Sequence, residues 1–135
     1  MPKKKILVVD NDPYILMMTK SRLEANGYEV VTTPDGTETV KIAKKSKPDL
    51  ILLDIIMPGM EGCEVCSKLK EEAETKEIPV LIFTVSSRRD IEELCLKAGA
   101  KAVIAKPFDA VELLVLIKKA MDPNSKWRKA GKQGG

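Results

Sequence analysis

Short, continuous apolar runs punctuate the chain. They occupy residues 6–9, 50–54, 79–84 and 102–105, and β-branched residues fill three of the four positions in Ile6-Leu7-Val8-Val9. Runs without polar alternation suit strands buried on both faces, as in a parallel sheet covered by helices. Tyr28-Glu29-Val30-Val31-Thr32 reads as a further strand, which makes five. Between the runs, apolar residues recur at helical spacing. Asp12 is placed to cap a helix with Pro13 at its first position. Ile15, Met18 and Leu23 mark that helix's apolar face, and Gly27 stops it. Asp35-Gly36 opens a second helix carrying Val40 and Ala43, which Pro48-Asp49 breaks. Met57 to Gly62 reads as a loop from its Pro and Gly content, and a third helix follows with Val65 and Leu69 on one face. A fourth helix starts near Arg88, carries Ile91, Leu94 and Leu96, and ends at Gly99. Lys106-Pro107-Phe108 turns the chain, and Asp109 caps a last helix with Leu113, Leu116 and Ile117. Five strands alternating with five helices predict an α/β fold, a parallel sheet with helices on both faces.

Length and composition narrow the class. The chain has 135 residues, 44% hydrophobic and 32% charged, the profile of one soluble globular domain. No apolar run approaches membrane-spanning length, and the N-terminal run is too short for a signal-peptide core, so a cytoplasmic protein is expected. The net charge of +3 belongs to the tail. From Asp122 onward, Lys126, Arg128, Lys129 and Lys132 oppose one acid, and residues 1–121 are neutral. This disfavours a basic nucleic-acid-binding face. Residues 1–121 are read as the domain and 122–135 as a basic, disordered tail, with Trp127 as a possible docking element. The three cysteines, Cys63, Cys66 and Cys95, come without any histidine, so a zinc site is not expected. They are expected to be reduced and to pack as small hydrophobes.

The chemistry gathers at the strand ends. Asp10-Asn11-Asp12 follows the first strand, Asp54 ends the third, Thr84 ends the fourth, and Lys106 follows the fifth. In a parallel sheet these ends share one edge, where ligands bind. Each residue alone has a bland role, as a cap, a strand residue or a surface charge. Together they supply carboxylates for a hard cation such as Mg²⁺, a hydroxyl donor and a fixed positive charge. That set suits phosphoryl transfer, with an aspartate as the covalent nucleophile.

On Ile6-Leu7-Val8-Val9-Asp10, Leu53-Asp54-Ile55-Ile56-Met57-Pro58-Gly59-Met60-Glu61-Gly62, Phe83-Thr84 and Lys106-Pro107-Phe108, the sequence resembles the receiver domain family of bacterial response regulators. The likeness runs over about residues 4 to 121. It implies a flavodoxin-like, doubly wound (βα)5 fold with strand order 2-1-3-4-5. It implies that Asp54 is phosphorylated by a sensor histidine kinase or a histidine phosphotransfer protein in a Mg²⁺-dependent reaction. By the same resemblance Thr84 is the switch hydroxyl and Lys106 the phosphate-contacting lysine. The metal set becomes Asp10, Asn11, Asp54 and the backbone carbonyl of Ile56, and the Lys106–Pro107 peptide is expected to be cis. The protein would catalyse only its own phosphorylation and slow dephosphorylation, and would not be a true enzyme. It would meet a downstream target through the fourth helix, fifth strand and fifth helix, as a monomer or a phosphorylation-dependent dimer.

Several positions depart from the family pattern. Asn11 stands where a metal-binding carboxylate is usual, which predicts weaker Mg²⁺ affinity. Asp12 could compensate, although a helix cap is its simpler role. Val85 could narrow access to Asp54, and Val103 replaces an aromatic that usually reports switching. Ile56 and Ser86 lack a long polar group to orient water, which predicts slow self-dephosphorylation. These departures leave two alternatives: a degenerate receiver that is a non-phosphorylated interaction module, and, more remotely, a haloacid-dehalogenase-like phosphatase built on Asp10-Asn11-Asp12.

Overall fold

The apolar runs do become strands. The computed structural model describes residues 3–54, 62–84, 89–105 and 109–122. In chain order it contains β1 (Lys5–Val9), α1 (Pro13–Ala25), β2 (Glu29–Thr33), a 3-10 turn (Gly36–Glu38), α2 (Thr39–Ser46), β3 (Leu50–Asp54), α3 (Gly62–Glu71), β4 (Val80–Thr84), α4 (Arg89–Lys97), β5 (Ala102–Ala105) and α5 (Ala110–Met121). The five strands pair in parallel in the order β2-β1-β3-β4-β5. The expected α/β class, doubly wound topology and strand order are all present. The anticipated Lys106-Pro107-Phe108 turn, most of the loop before Gly62 and the tail beyond Asp122 lie outside the described residues.

Alternation along the strands divides the core in two. Leu7, Val9, Ile51, Leu53, Val80 and Ile82 face a layer containing Ala43 of α2, Val65 and Leu69 of α3, and Cys95 of α4. Ile6, Val8, Leu50, Leu52, Leu81 and Phe83 face Leu16 and Leu23 of α1 and Leu113 and Ile117 of α5. The central strands thus bury both faces, which is why their sequences show no polar alternation. Burying a Leu or Ile side chain contributes about 1.5–3 kcal/mol, so these two layers supply most of the drive to fold.

Two helical faces differ from the expectation. Along α1 the buried residues are Leu16, Thr19 and Leu23, whereas Met18 is 48% exposed. The segment Tyr14-Ile15-Leu16-Met17-Met18 is apolar all round, so spacing alone could not choose its inward side. In α4 the buried residue is Cys95, while Leu94 is 56% exposed and Ile91 and Leu96 are half-buried.

The cysteines also differ. Cys63 and Cys95 form a disulfide across α3 and α4, with Cα atoms 4.7 Å apart, and Cys66 is free and buried. On a chain-entropy model, closing a loop of 32 residues stabilises the fold by about 3–4 kcal/mol. Their spacing in sequence could not reveal the pairing, because α3 and α4 meet only after the sheet forms. Burial pushes the Cys66 thiol up to about 11, with Lys70 drawing it partly back.

Loop chemistry fixes the helix ends. Gly99 closes the α4 connection with φ +108°, a conformation open to glycine. The Lys70 stem lies directly over it, and Lys70 Nζ donates to the carbonyls of Ile78 (2.7 Å) and Lys76 (3.0 Å). This ties the end of α3 to the turn leading into β4. Lys70 is itself held below the usual lysine range, chiefly by burial.

Candidate functional site

The parallel register sets the site. Val9 pairs with Leu53 and with Thr33, so Asp10 and Asp54 stand one step further on, at the carboxyl ends of the adjacent strands β1 and β3. Asp10 extends the ladder by that step, its N–H donating to the Thr33 carbonyl at 3.3 Å. Asp54 pairs with Phe83, which puts Thr84 one residue beyond on β4, and Thr84 pairs in turn with Ala105, the residue before Lys106. The sheet therefore carries the backbone of Asp54 and Thr84, and the approach to Asp10 and Lys106, to one edge.

Both carboxylates are sequestered: Asp10 is 3% exposed and Asp54 is 9% exposed. Ionised carboxylates taken out of water demand compensation by hydrogen bonds or a cation. Asp10 Oδ1 accepts the N–H of Asp12 at 2.9 Å, which fixes the bend between β1 and α1. Asp12 does not turn into the site. Its Oδ1 caps α1 by accepting the Tyr14 N–H at 2.9 Å, so the cap role prevails over metal compensation. Asn11, between them, is exposed.

The donor set fits a hard divalent cation: two aspartate carboxylates and one amide oxygen, with no sulfur or imidazole. Among the described residues, no group of three or more His, Cys, Asp or Glu side chains gathers in a way that would hold a metal. The fourth expected donor, the Ile56 carbonyl, lies outside the described residues, as do Lys106, Val85 and Ser86 and the side chain of Thr84. Val103 is half-buried and packs against the α2–α3–α4 layer, beside its register partner Ile82.

A cleft of about 450 Å³ opens at the opposite edge of the sheet, lined by Lys4, Asp49, Lys70, Glu77 and Lys101 among others. It sits where the strands begin, away from Asp10 and Asp54, and its lining is the mixed charge of a solvated surface. No helix among the described residues is long and apolar enough to cross a membrane.

Comparison with known proteins agrees with this arrangement. The family model for the response regulator receiver domain matches residues 6–118. The chain is 38% identical over 115 residues to the alkaline phosphatase synthesis transcriptional regulatory protein PhoP of Bacillus subtilis, a match covering 85% of this chain and 47% of PhoP. The chain thus spans about half the length of that relative. Among solved structures, the chemotaxis protein CheY4 of Vibrio cholerae superposes with a TM-score of 0.84 at 30% identity, over 88% of this chain and 99% of that one. The receiver domain of the sensor histidine kinase PA1611 of Pseudomonas aeruginosa has a magnesium ion coordinated in its active-site cleft. It superposes with a TM-score of 0.82 at 26% identity, covering 89% of this chain and 98% of that one.

Proposed function

Because the chain belongs to the response regulator receiver domain family, we propose that it is a phosphoacceptor whose Asp54 takes a phosphoryl group from a phosphohistidine donor. The observation that carries this reading is the pair of sequestered carboxylates, Asp10 and Asp54, at adjacent strand ends on the edge that Thr84 also reaches. A carboxylate oxygen of Asp54 attacks phosphorus, the donor's phosphorus–nitrogen bond breaks, and the imidazole leaves with the electron pair. The Lys106 ammonium offsets charge on the phosphoryl oxygens, and the Thr84 hydroxyl donates to one of them. Asp10, Asn11, Asp54 and the Ile56 carbonyl would hold Mg²⁺, which when bound supplies charge neutralisation for the transferring group. The magnesium-bound PA1611 receiver supports that choice of metal.

The donor is read as a sensor histidine kinase or a histidine phosphotransfer protein, and the setting as the cytoplasm. The phosphoryl group shifts the balance between two conformations, one of which a target protein reads. The α4–β5–α5 face suits such a target, since Leu94, Val111 and Val115 are more than half exposed there. We assign no direct nucleic-acid or membrane contact to these residues, and a monomer or a phosphorylation-dependent dimer as the working state. A second reading, a receiver that binds partners without phosphorylation, draws on the uncharged Asn11 and on Val103 packed into the core layer.

Intact mass after incubation with Mg²⁺ and acetyl phosphate separates the two. Wild type should gain one phosphoryl group and Asp54→Asn none. An unmodified wild-type mass, with a known receiver labelled in parallel, would select the interaction module.

A further inference from the structure

The seam between α3 and α4 is built from sulfur. Cys63 bonds to Cys95 across it, and one turn along α3 the Cys66 thiol donates to the Ala98 carbonyl at 3.5 Å. On the α4 side little else is buried. Within α4, all of which is described, Cys95 alone is buried, whereas α3 buries Gly62, Cys63, Val65, Cys66 and Leu69. Half-buried Ile91 and Ala98 pack beside it on the same layer, so the bond adds a covalent tie to a lightly packed helix. It also joins the two helices that follow the site strands: α3 comes after β3 and Asp54, and α4 after β4 and Thr84.

We propose that Cys63 and Cys95 are a reversible redox-modification site that locks α4 onto α3 when oxidised and releases it when reduced. That the released helix also alters signalling rests on the receiver reading above; the redox site itself does not. Reduction takes a dithiol. One of its thiolates attacks Sγ of Cys63, the less deeply buried residue of the pair at 7% exposure against 0% for Cys95. The Cys63–Cys95 bond breaks and Cys95 leaves as thiolate and takes up a proton. The second thiol of the reductant then displaces Cys63, which is protonated in turn, and the reductant departs as a cyclic disulfide carrying two electrons fewer. A low-molecular-weight disulfide reverses the sequence. Cys66 stays out of the exchange: its burial among Val65, Leu69 and Ala98 keeps it a protonated thiol and a poor nucleophile. In a compartment that keeps thiols reduced, protein disulfides are mostly transient and redox-sensing, which matches a bond whose loss frees a single helix.

The test uses the full chain in two states, one treated with dithiothreitol and one with glutathione disulfide. Alkylation after denaturation should label three cysteines in the first and one, Cys66, in the second. Hydrogen exchange should show the α4 amides at least tenfold faster in the reduced protein, with β1 and β3 unchanged. Because both states share one sequence, misfolding of a variant cannot mimic the result. Cys63→Ala should exchange quickly at α4 under both treatments, and Cys66→Ala should keep the redox response. Three labelled cysteines after glutathione disulfide, or equal α4 exchange in the two states, overturns the proposal. Neither readout involves phosphoryl transfer, so an unphosphorylated Asp54 would sink the phosphoacceptor reading and leave this one standing.

Discussion

Asn11→Asp isolates the charge of the candidate metal site with almost no change of shape. Asn11 is exposed at the bend between β1 and α1, next to the buried Asp10. Solvent at that position sets a high effective dielectric, so water-like values apply. A unit charge pair at 4 Å is worth about 1 kcal/mol in water, and a divalent ion doubles this to about 2 kcal/mol. That is roughly a 30-fold tighter Mg²⁺ complex, since about 1.4 kcal/mol is a factor of ten. Without metal the sign reverses. The new carboxylate is the immediate chain neighbour of Asp10, and repulsion of up to about 1 kcal/mol should lower stability in EDTA. Calorimetric Mg²⁺ titration measures the first effect, and urea denaturation with and without Mg²⁺ the second. Screening adds a check: the affinity gap should shrink between 0.1 M and 1 M salt, as the Debye length falls from about 10 Å to about 3 Å. Equal or weaker Mg²⁺ binding by Asn11→Asp would refute the assignment of residue 11 to the metal site.

Other perturbations probe the scaffold and the site separately. Gly27 and Gly99 both have positive φ, but a Cβ at Gly27 meets open space, whereas at Gly99 it would lie 2.6 Å from Lys70 Cγ. Gly27→Ala should cost about 1–2 kcal/mol of backbone strain, and Gly99→Ala a further 1–3 kcal/mol or so from overpacking; equal losses in urea denaturation would show that Lys70 yields freely. The Cys66 thiol is raised by burial from 9.0 to about 11, so its stabilising contribution is complete below pH 9 and is lost as pH rises through about 11. That contribution is roughly 2–3 kcal/mol at most. Burial also raises Tyr28 and lowers Lys70, so the readout is the difference in denaturation midpoints between wild type and Cys66→Ala across pH 9–11; parallel curves would remove the effect. Ile56→Asn should shorten the lifetime of phosphorylated Asp54, followed by intact mass after donor removal, by supplying a polar group for water; a faster decay in wild type contradicts that reasoning.

Legibility in the sequence tracked how strongly each position is constrained. Strands β1, β3 and β4 were readable because burial on both faces removes polar alternation and leaves unbroken apolar runs. The cap at Asp12 was readable because Asp followed by Pro has few other local uses, and Tyr14 N–H duly finds its carboxylate. The paired strand ends of Asp10 and Asp54 followed from parallel topology, since a run that ends in a carboxylate must deliver it to the shared edge. Helix faces were harder. Tyr14 to Met18 offers apolar side chains in every direction, and only contact with β2 and the rest of the sheet selects Leu16, Thr19 and Leu23.

The Cys63–Cys95 pairing was the least legible feature, for a reason that bears on how the molecule works. On the inward face of α4 the fully buried position is a cysteine, with half-buried Ile91 one turn before it, while Leu94 points to solvent. Read as a hydrophobe, Cys95 is too small to hold a helix. Bonded to Cys63, it holds one firmly. A small residue at the fully buried position is thus what a conditionally docked helix requires, because a large buried side chain at residue 95 would fix the helix whatever the redox state. Replacing both cysteines by a well-packed apolar pair such as Cys63→Ala with Cys95→Leu should therefore hold α4 without sulfur and abolish its response to dithiothreitol. Continued redox sensitivity of α4 exchange in that double variant would place the switch elsewhere in the chain.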